Sequence, residues 1–310
     1  MSINFKGIES AGVAGFSLTD QILTNLKFWI DHNLLIHGGF DIYKIGQDSF
    51  FSNDEANLKY VPDARFPDRT VFESVGRGFV WESGITPVNG DTPFRPSGVY
   101  INGNFVPSSS TGPDRFHIDS LNGRIIFDES RNANDIVSAN YCSRAVYTGF
   151  SDSSEFSNIM LESIEEFLSG KTPSATPSKE HQVWLPAIFV EVQSGKVLRG
   201  LQLGGGQVKE KIIVLHIFAN DSGYRNMLLD ILDFQNRAAF WLGDTNKIPQ
   251  MFDEFGDVLP GITNWVDLAS QFPYRKLRIT DGSCKTINSL NTKLFRGQVR
   301  WVCEIDLGGI

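Results

Sequence analysis

The dipeptides Asn102-Gly103 and Asn122-Gly123 constrain this chain more than any other feature, because each lies between short runs of β-forming residues. Val99-Tyr100-Ile101 precedes the first and Asn104-Phe105-Val106 follows it. The second sits between Phe116-His117-Ile118-Asp119-Ser120-Leu121 and Arg124-Ile125-Ile126-Phe127. A two-residue type I′ turn needs positive φ at both central positions, which Asn tolerates and Gly favours, so each dipeptide predicts a β-hairpin. Asn102, Gly103, Asn122 and Gly123 are therefore expected to be structural turn residues. A β-scaffold with no nucleophile, base or metal cluster mounted on it has the character of a binding or assembly module.

At 310 residues the chain is long enough for two domains, since cores tend to split beyond roughly 250 residues. Its 41% apolar and 12% aromatic content supplies packed cores, and 21% charged residues are too few for a disordered protein. A net charge of −8 argues against tight, sequence-independent adhesion to nucleic acid, which needs clustered Lys and Arg, although transient contact with passing DNA fits an acidic wall. The same charge also serves solubility. Cys142, Cys284 and Cys303 have neither CxxC nor Cys/His spacing, so no disulfide framework or zinc site is expected, and cytoplasmic folding follows. No secretory signal and no membrane span are predicted.

Along the chain, Ser17-Leu18-Thr19-Asp20 resembles a capping box, and Ile22, Leu23, Leu26, Trp29, Ile30 and Leu34 mark an amphipathic helix ended by Gly38-Gly39. Phe40 to Gly46 alternates like a strand, 47–70 reads as a long surface loop, and Val71 to Ile85 returns to extended structure. The two hairpins follow, and Asp135 to Tyr147 completes a small antiparallel sheet. A second helix covers Phe150 to Gly170. Lys171 to Ser178 has the composition of an exposed linker.

In the second half, Val183 to Val192 is an apolar strand interrupted by Pro186, which places its early part at an edge or bulge. Lys209 to Ala219 is apolar on both faces and predicts a central strand with cover on each side. Asp221 caps a third helix with Tyr224, Leu228, Ile231, Leu232 and Gln235 along one face. Ala238 to Leu242 and the alternating Val299, Trp301, Cys303 and Ile305 supply further strands. The predicted fold is α+β: residues 1–150 as a helix plus β-hairpin domain, 151–178 as helix and linker, and 179–310 as a domain with a helix packed on a mostly antiparallel sheet.

Candidate chemistry is sparse. Gly204-Gly205-Gly206 invites a phosphate-loop reading, but Gln207-Val208-Lys209 opens a strand where a Walker motif needs Gly-Lys-Ser/Thr opening a helix, so a loop or a close backbone approach is expected. His32, His37, His117, His181 and His216 lack metal-ligand spacing and read as surface or helix-end residues, with His216 as a hydrogen-bonded core residue. Glu162, Glu165 and Glu166 share one helix, whereas acid/base catalysis needs carboxylates in different environments across a cleft. Asp230 and Asp233 beside Arg225 and Arg237 read as surface charge or intersubunit pairing. Arg144, Arg275, Lys276 and Arg278 lack the aromatic interleaving of a nucleic-acid reader. No catalytic residue, cofactor or metal is expected.

Leu18 to Trp29, Ser97 to Gly103 and Ile118 to Asp128 resemble segments of tailed-bacteriophage virion proteins. Leu185-Pro186-Ala187-Ile188-Phe189-Val190-Glu191, Leu203-Gly204-Gly205-Gly206, and His216 to Ala219 leading into Tyr224 to Leu232 resemble the same class. The second half is similar in layout to neck and tail-terminator proteins, to which the first half is an added domain. That resemblance implies a homo-oligomeric ring, expected to be six-fold, joining the tail to the head connector, with a sheet lining the lumen and helices outside. It implies that the loop from Leu203 to Lys211, with Leu203, Gly204, Gly205 and Gly206, faces a neighbour or the lumen; Arg225 and Arg237 join these as interface candidates through the intersubunit pairing read from their charge. The implied partners are further copies of the chain and neighbouring neck or tail proteins, with no membrane, and the implied location is the virion. A baseplate or other tail protein, a host-wall glycan hydrolase and a receptor-binding module are the alternatives.

Overall fold

A computed structural model describes residues 18–45, 56–74, 78–88, 90–169, 184–193, 195, 197–200, 207–245, 252–257, 261, 263–288, 291 and 293–306. Helices and mostly antiparallel sheets make the chain an α+β protein. Its residues group into two compact units: a sheet unit drawn from Met1–Asp31, Tyr147–Ile248 and Trp265–Ile310, and a hairpin unit drawn from His32–Val146 and Pro249–Asn264. The sequence suggested a serial division at 150 and 178. The units are instead interleaved, because the first helix begins in the sheet unit and the segment from 249 to 264 returns to the hairpin unit. The linker at 171–178 lies outside the described residues.

The sheet unit is organised by long strands. We number them in chain order after β1–β9 of the hairpin unit: β10 (Tyr147–Phe150), β11 (Ala187–Gln193), β12 (Val197–Gly200), β13 (Gln207–Ala219), β14 (Ala239–Gly243), β15 (Pro273–Ile287) and β16 (Phe295–Asp306). Their order is β10-β11-β13-β16-β15-β14, and β12 also pairs with β13. Only β10 and β11 are parallel to each other. Tyr147 was expected to end the sheet of the first half, but β10 leaves it and joins β11. Strand β13 is central, as its two-sided apolar character requires: Ile213, Leu215 and Ile217 are buried on one face and Val214 and Phe218 on the other. Strand β11 starts just after Pro186 and is flanked on both sides, so the proline sits at the strand's end and not at a sheet edge.

Helices cover the two faces of this sheet unequally. On one face lie α1 (Leu18–Ile36) and α3 (Ser222–Asp233). Trp29 of α1 stacks on Phe240 at 4.5 Å and meets Trp301 edge-on at 6.0 Å, while a Cβ on Gly297 would stand 3.1 Å from Leu229 of α3. Gly297 and Trp301 share a face of β16, so the missing side chain lets α3 settle close to the sheet. On the opposite face α2 (Ser154–Ser169) brings Phe156 and Ile159 over Phe189 and Phe218. The short helix α4 (Trp265–Gln271) packs by β14, with Trp265 edge-on to Phe240 and Leu268 filling the space a Cβ of Gly243 would need.

The hairpin unit contains β1 (Phe40–Tyr43), β2 (Lys59–Tyr60), β3 (Val71–Glu73), β4 (Gly98–Ile101), β5 (Asn104–Pro107), β6 (Phe116–Asp119), β7 (Arg124–Phe127), β8 (Val137–Ser138) and β9 (Tyr141–Arg144). These form three small sheets, β1-β9, β2-β3-β7-β6 and β5-β4-β8, around Leu58, Phe72, Phe79, Val99, Phe127 and Tyr141. The expected surface loop at 47–70 is only partly a loop. Ala56 and Leu58 are buried, and their backbones bond Ala139 and Val137.

The end of α1 follows from Gly38. Its φ of +80° permits the paired bonds Gly39 N–H to Leu34 and Gly38 N–H to Leu35, the Schellman closure of a helix. Arg144 holds a second fixed point, its Nη2 lying 2.6 Å from both oxygens of the buried Glu82.

Candidate assembly surfaces

Asn102 at φ +51° and Gly103 at +83° form a two-residue turn, with Ile101 paired to Asn104. The Asn102 side chain is also engaged, accepting from Ile136 N–H and donating to Asp135. The second connection departs from the expected type I′ turn. Strands β6 and β7 pair out to Asp119 and Arg124, so residues 120–123 make a longer loop, in which Gly123 at +66° takes the left-handed conformation and Asn122 does not. The cause is Asp119, whose buried carboxylate accepts from the Asn122 backbone at 3.1 Å and side chain at 2.7 Å. Burial pushes the Asp119 carboxyl up, against the pull of the Asn122 bonds. Gly256, at φ +92°, lies against the same residue, where a Cβ would come 2.5 Å from Oδ1.

Leu203, Gly204, Gly205 and Gly206 lie outside the described residues, but the strands on either side are described. Strands β11 and β12 run together against β13, with a register shift between Val197 and Arg199, and so form one long irregular hairpin with it. Arg225 sits half-buried on α3. Its guanidinium lies 5.8 Å from the Phe295 ring centre and bonds Asn226 Oδ1. Arg237 is exposed and has φ +73°, so its backbone turns the chain from α3 toward β14.

Helix α3 has two apolar faces. The Asp221 carboxylate caps it by accepting from Gly223 and Tyr224 N–H, and Leu228, Leu229 and Leu232 are buried. Tyr224, Met227 and Phe234 are 52%, 46% and 85% exposed. With the half-buried Ile231 they follow a three- and four-residue spacing along the solvent side. The expected single face combining Tyr224 with Leu228 and Leu232 is therefore two faces. The signal was present in the sequence: Tyr224, Met227, Ile231 and Phe234 lie apart from Leu228, Leu229 and Leu232, more apolar residues than a single packing face needs.

Beyond the apolar part of β11 and β13 that α2 covers, the far side of the sheet is polar. Strand β14 places Phe240 toward α1, so Trp241 points to the other face, where it is 53% exposed opposite Lys276. Arg278 lies across from both Ala239 and Glu304, and Glu304 lies across from Glu210. Farther along, His216 Nε2 meets Glu191 Oε2 at 2.8 Å beside Phe156. Burial would raise the Glu191 carboxyl, but bonds from His216 and Gln193 hold it below the ordinary value. His32, expected near the surface, is 7% exposed, and burial lowers its pKa against the opposing charge of Glu82.

Lys211 is also buried on the α1 side, its Nζ 3.2 Å from Thr19 Oγ1, and burial followed by the Lys209 charge lowers its pKa. Among the described residues no helix is long and apolar enough to cross a membrane, and no group of three or more His, Cys, Asp and Glu side chains is placed to hold a metal ion. Neither a protein-family model nor a curated protein matches the chain.

Proposed function

We propose that the chain is a structural component of a tailed-phage virion, a homo-oligomeric ring of the neck or tail-terminator region that joins the tail to the head connector. The observation that carries this reading is the asymmetry of the sheet unit, which has helices α1 and α3 on one face, while on the other α2 covers only the β11 and β13 part and leaves a mixed-charge surface, exposed along β15 and half-buried along much of β16. A ring with α1 and α3 outward and the mixed-charge strip of β15 and β16 toward a channel uses both surfaces as they stand, with α2 on the channel side over β11 and β13. The tail-terminator-like arrangement belongs to the same proposal, as does the location in the virion after assembly in the host cytoplasm. Neighbouring tail and neck proteins would stack on such a ring, and DNA would pass through it without lasting contact. Native mass spectrometry and negative-stain microscopy of the full chain test this. A closed ring, expected to hold six copies, supports it, and strictly monomeric protein both alone and in assembled particles overturns it.

A further inference from the structure

We propose that copies of this chain meet through the exposed stripe of α3 on one copy and the Trp241 corner of the sheet on the next. This inference rests on the ring reading and names the contact that would build the ring. The stripe carries Tyr224, Met227 and Phe234, and the exposed carboxylates of Asp230 and Asp233 lie beside it. The corner presents the exposed indole of Trp241 with Lys276 directly across the ladder and Arg278 two residues along, both exposed. One surface is thus apolar and acidic, the other aromatic and basic. Their match identifies the occupant of each as the other surface on a second copy, since complementary charge fixes partner and register.

The placement of the two surfaces decides the type of assembly. Helix α3 lies on the Trp301 face of the sheet, whereas Trp241 lies on the reverse, so the two surfaces cannot close on each other in a single copy. Joining them between copies gives a heterologous contact, which repeats and closes into a ring when the rotation per copy allows. Successive sheets would overlap like roof tiles at β14, leaving the β15 and β16 part of the polar face, beyond the α2-covered part of β13, open to a channel. The aromatic and Met side chains are of the types that supply most of the energy in protein interfaces.

The test uses the full chain and reads its self-association by sedimentation velocity and native mass spectrometry. Phe234→Asp with Met227→Asp, both at exposed positions, should weaken association by at least about tenfold while leaving the far-ultraviolet spectrum unchanged. Asp230→Lys with Asp233→Lys should also weaken it, as should Lys276→Glu with Arg278→Glu. Combining the two charge reversals in one chain restores complementarity and should recover association. If wild-type protein forms rings and none of these variants alters them, this contact is refuted while the ring reading stands. If wild-type protein never self-associates, both fall. If each single reversal weakens association but the combination does not recover it, the pairing of these two surfaces is refuted.

Discussion

Replacing Asn25 with leucine tests how the open edge of the large sheet is closed. Asn25 is fully buried on α1, and its carboxamide meets Gly243 on the outermost strand β14 in two ways. Oδ1 accepts from Gly243 N–H at 2.6 Å, and Nδ2 donates to Gly243 C=O at 2.9 Å. This is the donor and acceptor pair that a neighbouring strand would present, supplied by a side chain. Nδ2 also donates to Gln21 C=O at 2.8 Å. Without the carboxamide, two buried backbone groups on Gly243 lose their partners, each costing roughly 1–3 kcal/mol. Allowing for the apolar burial gained, the loss is about 3 kcal/mol, which lowers the midpoint of the sheet unit by roughly 6–12 °C.

Thermal unfolding should show that shift, and hydrogen exchange should show the Gly243 amide losing protection. Asn25→Asp adds a pH signature. Its carboxylate would face two carbonyls in a buried site, raising its folded pKa above the ordinary value of about 3.9, so the penalty is full at neutral pH and shrinks as pH falls through the raised pKa. A midpoint for Asn25→Leu within about 2 °C of wild type, with Gly243 still protected, would refute the argument.

Gly103→Val and Gly123→Val each place a β-branched residue at positive φ and should cost about 1 kcal/mol or more, read as reduced stability of the hairpin unit. Glu82→Ala removes both oxygens bonded by Arg144 Nη2 and should destabilise the hairpin unit by about 3 kcal/mol in urea unfolding, more than Glu82→Gln does. The Arg65 side-chain bond, opposed by partial burial and aided by the Arg65 amide and the charges of Arg65 and Arg124, lowers Asp63 from 3.8 to about 2. A depressed carboxylate stabilises above its unfolded pKa, so about 1–2 kcal/mol should be lost between pH 4 and 2, and Asp63→Asn should remove that slope from acid unfolding.

Sequence pattern located the elements whose physics is local. The 3.6-residue period and Gly38 mark α1 and its end, and the strict alternation of Val299, Trp301, Cys303 and Ile305 marks β16, where all four are fully buried. Strand β15 was not legible because Asp281-Gly282-Ser283 has turn composition; in the fold it adjoins the register shift between Ile279 and Asp281 that keeps the strand paired with β16. The turn at Asn122 depended on Asp119, a residue the Asn-Gly signal does not include. Arg225 and Arg237 drew attention by charge, but one packs over Phe295 and the other shapes the backbone. The stripe of Tyr224, Met227 and Phe234 was present in the sequence, yet only burial separates it from the buried leucines.

The interleaving of the two units also sets a timetable for synthesis. Trp29 is translated long before Phe240 and Trp301, the rings it packs on. At 5–20 residues per second, α1 waits roughly 15–55 s for β16 to leave the ribosome. The hairpin core, drawn from Leu58 to Tyr141, is complete early, and only the segment around Gly256 that lies against Asp119 is added late. The sheet core cannot close while the ribosome is still in the first half of the message, so the nascent chain carries the exposed amphipathic face around Trp29 through most of its elongation. That exposure makes the first helix the natural place for a chaperone to bind, and slowing translation should lengthen the interval in which nascent chains are captured there.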